Sequence, residues 1–292
     1  MPSWGSVITG RPTVSVAMAT YNGERYLPEM LESLAAQTRP PDELVVRDDA
    51  SEDGTVGILH AFARRVGFRV EVIAGGPRLG YAENFVAASN ACSGRLVFFA
   101  DQDDTWRPSK LAVVASQVRR RRRPRAVFHD FALVDGDGQQ QAPSYYGLLR
   151  ERGLPPELSL KGCTMAVTRG FLQTWGWPPP ESHVSHDFWV ALLSTTFGQR
   201  TNLDEPLVDH RLHEGNASGW IPDDSSREFT SAGDASSASG LLVDLVLKPP
   251  WLGARTRAFL DVLQQRGDTV DPVAAQRLRR LLRDNRQRHR DH

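Results

Sequence analysis

The chain has 292 residues, 40% of them hydrophobic, and carries 35 basic side chains (Lys and Arg) against 35 acidic ones (Asp and Glu). That length and apolar content suffice for a full buried core, while the balanced charge excludes a molecule-wide field that would collect nucleic acid or acidic surfaces. The scattered Cys92 and Cys163 are too few for a disulfide framework or a zinc site, and MPSWGSVITG has no basic start before a long apolar run, so a cytoplasmic protein is expected.

Residues 1–12 read as an arm. TVSVAMAT at 13–20 predicts a strand, and ERYLPEMLESLAAQT at 24–38 a helix with Leu27, Met30, Leu31 and Leu34 on one face. The alternation then repeats, with strands at 43–49, 68–74 and 95–101 and helices at 53–66, 81–92 and 108–123, the last opened by Pro108. Strand and helix units of this length predict an α/β fold with a mostly parallel sheet and right-handed crossovers. Helices on both faces explain continuous apolar runs such as LVFF. Beyond Val134 the pattern loosens. DGDGQQQ (135–141) reads as a turn-rich loop, CTMAVTR (163–169) as a strand, WGWPPP (175–180) as a rigid corner and HDFWVALLSTTF (186–197) as a helix. The polar, small-residue stretch 221–240 reads as a flexible connection. Residues 241–292 read as a helical C-terminal extension, with candidate helices at 241–247 and 254–266 and one opened by Asp271 and Pro272.

Three polar motifs fall where predicted strands end: TYNGE (20–24) after the first, RDDASEDGT (47–55) at the second and ADQDD (100–104) at the fourth. Ligands of open α/β sheets bind at the carboxyl ends of strands, so one site assembled from all three is expected. It would gather Asp48, Asp49, Asp101, Asp103 and Asp104, which repel one another unless a cation or sugar hydroxyls occupy the site. Hard oxygen ligands favour Mg²⁺ or Mn²⁺, held through one or two carboxylates together with substrate phosphates. Taken singly, DDASEDG reads as a turn with Ser51 capping a helix, and DQDDTWRP as a cap for the Pro108 helix. It is their coincidence that points to a site.

Between residues 13 and 110, VSVAMATYNGERYLPEMLESLAAQTRPPDELVVRDDASEDGT followed by FFADQDDTWRPSKL resembles the donor-binding half of a family 2 glycosyltransferase. That family has the A-type nucleotide-sugar transferase (GT-A) fold. HRLHEGNASG (210–219) is similar to the closing motif of bacterial rhamnosyltransferase-like members. The QxxRW motif of processive synthases is absent, which implies one sugar per binding event. The resemblance implies a Rossmann-like donor-binding half at 13–125 and an acceptor-binding half at 126–220.

It also implies roles. Thr20, Tyr21 and Asn22 line the nucleobase pocket, with Tyr21 stacked on the pyrimidine and Glu24 near the ribose. Asp49 accepts the N3 proton of uracil or thymine, which cytosine lacks. Asn84 and Gln102 lie on the donor side. Asp101 falls near the ribose and the metal's water shell, Asp103 ligates the metal, and Asp104 equally suits a helix cap. His213 supplies a metal ligand or a diphosphate contact, and Arg211 a fork for phosphate oxygens. Asp187 in SHDFW is the expected base for the incoming hydroxyl, with an N-cap of the FWVALL helix as the other reading. Many relatives have Glu-Asp where this chain has His186 and Asp187. His186 therefore orients the base, contacts acceptor or lies at the surface.

The expectation is an inverting, metal-dependent transfer of one sugar from a UDP- or dTDP-sugar, dTDP-rhamnose included, to a hydroxyl of a glycan, lipid-linked or small-molecule acceptor. The alternative is a nucleotide-sugar-binding regulatory protein without turnover. The arginines at 119–123 read as a solvated helix end, with no nucleic-acid partner. The tail from Gln276 on has seven arginines against two aspartates. It offers either a peripheral contact at the inner face of the cytoplasmic membrane or a basic face in water. Oligomeric state is left open.

Overall fold

The structure, a computed structural model, describes residues 12–119, 125–180 and 184–216. The expected N-terminal arm, the arginine run past Arg119, the 221–240 connection and the helical extension with its basic tail lie outside the described residues.

The first strand, β1 (Val14–Thr20), is apolar on both faces and almost wholly buried. β2 (Glu43–Asp48) and β4 (Leu96–Ala100) pair with it in parallel on either side, and β3 (Arg69–Ile73) continues the sheet from β2. Parallel neighbours need crossovers. Here α1 (Leu27–Ala35), α2 (Thr55–Ala63) and α3 (Tyr81–Ala91) supply them. On β3, Arg69 reaches Glu43 at 2.8 Å and Glu71 at 2.6 Å, and charges of this kind discourage further pairing at a sheet edge.

Side-chain alternation along the strands divides the core in two. Val14, Val16 and Met18 of β1, with Leu44, Val46, Leu96 and Phe98, pack with α1, α2, α4 (Lys110–Arg119) and α5 (Tyr145–Glu151). Ala17, Val45, Val97 and Phe99 pack with α3, α6 (Arg169–Trp175) and α7 (His186–Thr196). The α1 stripe Leu27, Met30, Leu31 and Leu34 is buried as its periodicity predicts. The helix begins later than expected because residues 24–26 form a turn that binds the loop after β2.

The parallel expectation holds over β3, β2, β1 and β4, and beyond β4 the sheet is mixed. β8 (Met165–Thr168) runs antiparallel to β4 and to β6 (Ala126–Val134). β9 (Arg200–Arg211) is parallel to β6, and β5 (Thr105–Trp106) is antiparallel to β9. The order is β3-β2-β1-β4-β8-β6-β9-β5, with β7 (Gln140–Ala142) paired to β6. The stretch 135–141, expected as a loop, is therefore a tight turn entering a short strand. Asp135 Oδ1 closes it by accepting the N–H groups of Asp137 at 3.0 Å and Gln139 at 2.9 Å. Among the described residues no helix is long and apolar enough to cross a membrane.

The approach of the α3–β4 turn to β1 is close. Gly94 N–H donates to Ser15 Oγ at 2.8 Å, and a Cβ on Gly94 would stand 2.8 Å from Ser15 N. Ser15 cannot retreat, because its hydroxyl donates to buried Glu43 at 2.6 Å. Gly94→Ala is expected to cost about 1–3 kcal/mol, read as a lower urea midpoint without a change in slope.

Candidate active site

Because β1 lies between β2 and β4, the three polar motifs end side by side. The β1 loop is tied to both neighbours. Tyr21 N–H donates to Gln102 Oε1 and Gln102 Nε2 donates back to the Tyr21 carbonyl, each at 2.9 Å. A Cβ at Gly23 would lie 2.6 Å from Gln102 Cδ, so a residue without one stands there. On the other side Asn22, in the left-handed region at φ 45°, accepts the Glu52 N–H and donates its own to Ser51 Oγ, both at 2.9 Å. Glu24 accepts the Gly54 N–H and Thr20 Oγ1 donates to Asp48, both at 2.8 Å. Ser51 donates its hydroxyl to Asp48 at 2.6 Å and its N–H at 2.8 Å. It therefore closes the loop, while Gly54 is the N-cap of α2.

These loops open onto a cleft of about 630 Å³, within the range of small-ligand sites. Thr20, Tyr21, Asp49, Asn84, Asp101, Gln102, Asp103 and Asp187 border it. Asn22, Glu24, Arg211 and His213 are not among the residues that line it. Asp49 accepts the N–H groups of Leu79 at 2.6 Å and Gly80 at 2.8 Å, and Arg47 Nη1 at 3.0 Å. A carboxylate offers roughly four acceptor positions, and the one these leave is faced by Arg78, whose Nε lies 3.9 Å from Oδ2. Buried Asn84 donates to the Arg47 carbonyl at 2.9 Å and pins α3 to β2. Sequence reasoning missed Arg78, whose guanidinium lies 3.8 Å above the Tyr21 ring on the cleft wall. Its signal was an arginine in GGPRLG, between the third strand and the third helix.

The crowded carboxylates fall into two sets. Asp104 is fully buried: Oδ1 pairs with His210 Nδ1 at 2.8 Å and accepts the Arg211 N–H at 3.1 Å, while Oδ2 has no partner among the described residues. It is thus bound to β9 and caps no helix. Cys163 completes a group whose ligand-capable atoms lie within 4.8 Å of one another. Buried Lys110 stands beside it, its Nζ donating to the Cys163 carbonyl at 2.6 Å and lying 3.4 Å over Trp106. Burial pushes that amine down to about 7.

Asp101 and Asp103 face the cleft instead. Burial, then the charges of Asp104 and Asp103, push the Asp101 carboxyl up to about 7. Burial and Asp104 likewise raise Asp103. Asp103 Oδ2 pairs with His213 Nε2 at 2.8 Å, and the His213 ring lies tilted by 33° against Tyr26 with centroids 4.8 Å apart. Gly215 N–H donates to His213 Nδ1 at 3.1 Å, so Nε2 carries the proton in this arrangement.

Arg211 departs from the expected phosphate fork. Its Nη2 donates to Glu29 at 2.6 Å, Nη1 to the Gly136 carbonyl at 3.1 Å and Nε to the Asp103 carbonyl at 3.0 Å. A buried guanidinium whose three nitrogens all meet protein acceptors presents no edge to a ligand, so Arg211 braces the Asp103 loop.

On the opposite wall, α7 begins at His186 with Ser185 as N-cap. Asp187 stands in the first turn and is not the cap. Its Oδ1 accepts the Phe188 N–H at 2.7 Å, and the N-terminal end of a helix favours a negative charge.

Residues 15–169 match the family model described as glycosyl transferase family 2. TuaG of Bacillus subtilis, named a putative teichuronic acid biosynthesis glycosyltransferase, is 34% identical over 209 residues, covering 69% of this chain and 80% of that protein. Staphylococcus aureus TarS 1–349 in complex with UDP-GlcNAc is similar in fold, with a TM-score of 0.57 and 20% identity over 87% of this chain and 72% of that one. So is the mannosyltransferase PcManGT from Pyrobaculum calidifontis, in complex with GDP-Man and Mn²⁺, with a TM-score of 0.57 and 20% identity over 92% and 79%. Parallel strands that bring three acidic loops to one cleft, and these likenesses, lead to one conclusion: the chain belongs to glycosyl transferase family 2 and is a glycosyltransferase with the GT-A fold.

Proposed function

We propose that this glycosyltransferase is inverting and metal-dependent, and moves one sugar from a UDP- or dTDP-sugar, dTDP-rhamnose included, to a hydroxyl of a glycan, lipid-linked or small-molecule acceptor. The observation that carries the reading is the meeting of Tyr21, Asp49, Asp101, Asp103 and Asp187 on one cleft. The pyrimidine takes the face of Tyr21 now covered by Arg78, and its N3–H uses the remaining acceptor position of Asp49.

The residues fit a hard divalent cation. Asp103 Oδ2 and His213 Nε2 converge, and the raised Asp101 and Asp103 carboxyls mark a place short of positive charge. Mg²⁺ or Mn²⁺ bound there supplies Lewis-acid stabilisation to the departing nucleoside diphosphate. For Nε2 to ligate it must lose its proton, and Gly215 must then release Nδ1. The group of Asp104, Cys163 and His210 suits a hard cation less, because a thiol is a soft ligand and Lys110 stands beside it.

Asp187 is the base. With Oδ1 held by Phe188 N–H, Oδ2 accepts the proton of the acceptor hydroxyl. The acceptor's own oxygen bonds to the anomeric carbon as the bond to the diphosphate oxygen breaks on the opposite face, which inverts the centre.

A thermal-shift series with UDP, dTDP and GDP, each with and without Mn²⁺, tests donor and cation together, because a ligand of the native form raises the midpoint. UDP or dTDP with Mn²⁺ should shift it most. A shift with GDP alone would overturn the pyrimidine assignment. Membrane contact through the basic tail has its own test: tail-deleted protein that floats with anionic liposomes as well as the full chain removes it.

A further inference from the structure

We propose that His186, reached past Gly162, binds a carbohydrate hydroxyl beside the base, an inference that rests on the transferase reading above. His186 opens α7 immediately before Asp187 and is only 2% exposed. Its ring centroid lies 4.5 Å from that of Phe85 and 5.4 Å from that of Phe99, with Trp177 edge-on at 6.5 Å. Among the described residues neither ring nitrogen has a hydrogen-bond partner. Burying two polar atoms unpaired destabilises a fold, and phenylalanine would fill an aromatic cage without that cost. Both nitrogens are thus left open to a ligand by the described residues.

The surroundings define that partner. Burial lowers the imidazole pKa and keeps the ring neutral, so one nitrogen donates and the other accepts. A hydroxyl can meet either nitrogen, since it both donates and accepts. A charged partner would lose its hydration against three aromatic rings. The approach also fits. A Cβ at residue 162 would stand 3.0 Å from His186 Nε2 and 3.6 Å from Asp187 Cβ, so a side chain there would obstruct both. Glycine leaves the way open, and Gly162, His186 and Asp187 all border the cleft. Tyr21 and Asp49 hold the nucleobase in the proposed reading, which leaves the hydroxyl to the transferred sugar or to the acceptor.

The full chain, His186→Phe and His186→Gln would be compared in three measurements. These are the thermal midpoint, nucleoside diphosphate release from UDP-glucose, UDP-N-acetylglucosamine and dTDP-glucose with Mn²⁺, and transfer from those donors to a panel of methyl glycosides. His186→Phe should raise the midpoint by about 2–4 °C and keep the shift given by UDP, while kcat/KM falls about tenfold. His186→Gln retains a neutral donor and acceptor and should recover part of that loss. An equal fall in hydrolysis and transfer assigns the hydroxyl to the donor sugar; a raised acceptor KM with hydrolysis intact assigns it to the acceptor. Wild-type turnover in His186→Phe overturns the proposal. So does a loss of activity that tracks a loss of midpoint in both variants, since packing alone would explain it. Wild-type protein whose midpoint is shifted by neither UDP nor dTDP with Mn²⁺ sinks instead the pyrimidine-donor reading on which this proposal rests.

Discussion

Asp187→Asn should lower the rate of transfer by roughly 10² to 10⁴ while nucleotide binding stays within a few-fold of wild type. The substitution is nearly isosteric, and an asparagine Oδ1 still accepts the Phe188 N–H that Asp187 holds at 2.7 Å. The helix start therefore survives, and so does the packing of Trp189, Val190, Leu192 and Leu193 beneath it. What disappears is the proton acceptor, so kcat should fall with little change in donor KM. Nucleoside diphosphate release under saturating donor, read beside the UDP-induced thermal shift, separates the two quantities. An unchanged rate would leave Asp187 as a first-turn residue with no part in the chemistry.

Asp103→Ala should lower turnover by roughly 10² or more, as loss of a group that stabilises leaving-group charge does. The Mn²⁺-dependent part of the thermal shift should vanish with it. The metal-free variant should be no less stable than wild type, which is the less obvious half of the prediction. Asp101 and Asp103 are both pushed up by burial and by neighbouring carboxyls, so removing one relieves the other. His213 keeps its seat on the Tyr26 ring. Mn²⁺ titration followed by electron paramagnetic resonance measures the affinity directly, and undiminished binding in Asp103→Ala would move the cation elsewhere.

Periodicity made the first half of the fold legible. β1 and β4 are short, largely apolar runs, β2 has an apolar centre and β3 alternates charged with apolar residues, and each following helix has a one-sided stripe or a clear start. The second half hid its elements behind polar residues that are satisfied inside the fold. β6 carries His129 and Asp130 mid-strand, where an apolar run would be expected. Asp130 is paid for locally by the N–H groups of Phe131 and Tyr146, each at 2.8 Å, and by Ser144. β9 contains Pro206 and three acidic residues, and its pairing with β6 shifts register twice. α5 and α6 span seven residues each, too few for a helical period to show.

The site was legible in a similar way. Motif placement brought Tyr21, Asp49, Asp101 and Asp103 to one cleft, because adjacency of strand ends follows from topology. The motifs do not reveal which polar side chains are already spoken for. Asn22 and Glu24 are taken by the loop after β2, and Arg211 by three acceptors in separate parts of the chain. Those commitments depend on three-dimensional neighbours that spacing alone does not give.

The Arg211 clasp has a consequence for assembly. One guanidinium ties Glu29, 182 positions earlier, to the backbone at Asp103 and at Gly136. The acidic loop after β4 thus receives its final brace from the distal end of β9. A chain still emerging from the ribosome, with every donor-side aspartate already made, should grip a cation weakly until β9 arrives.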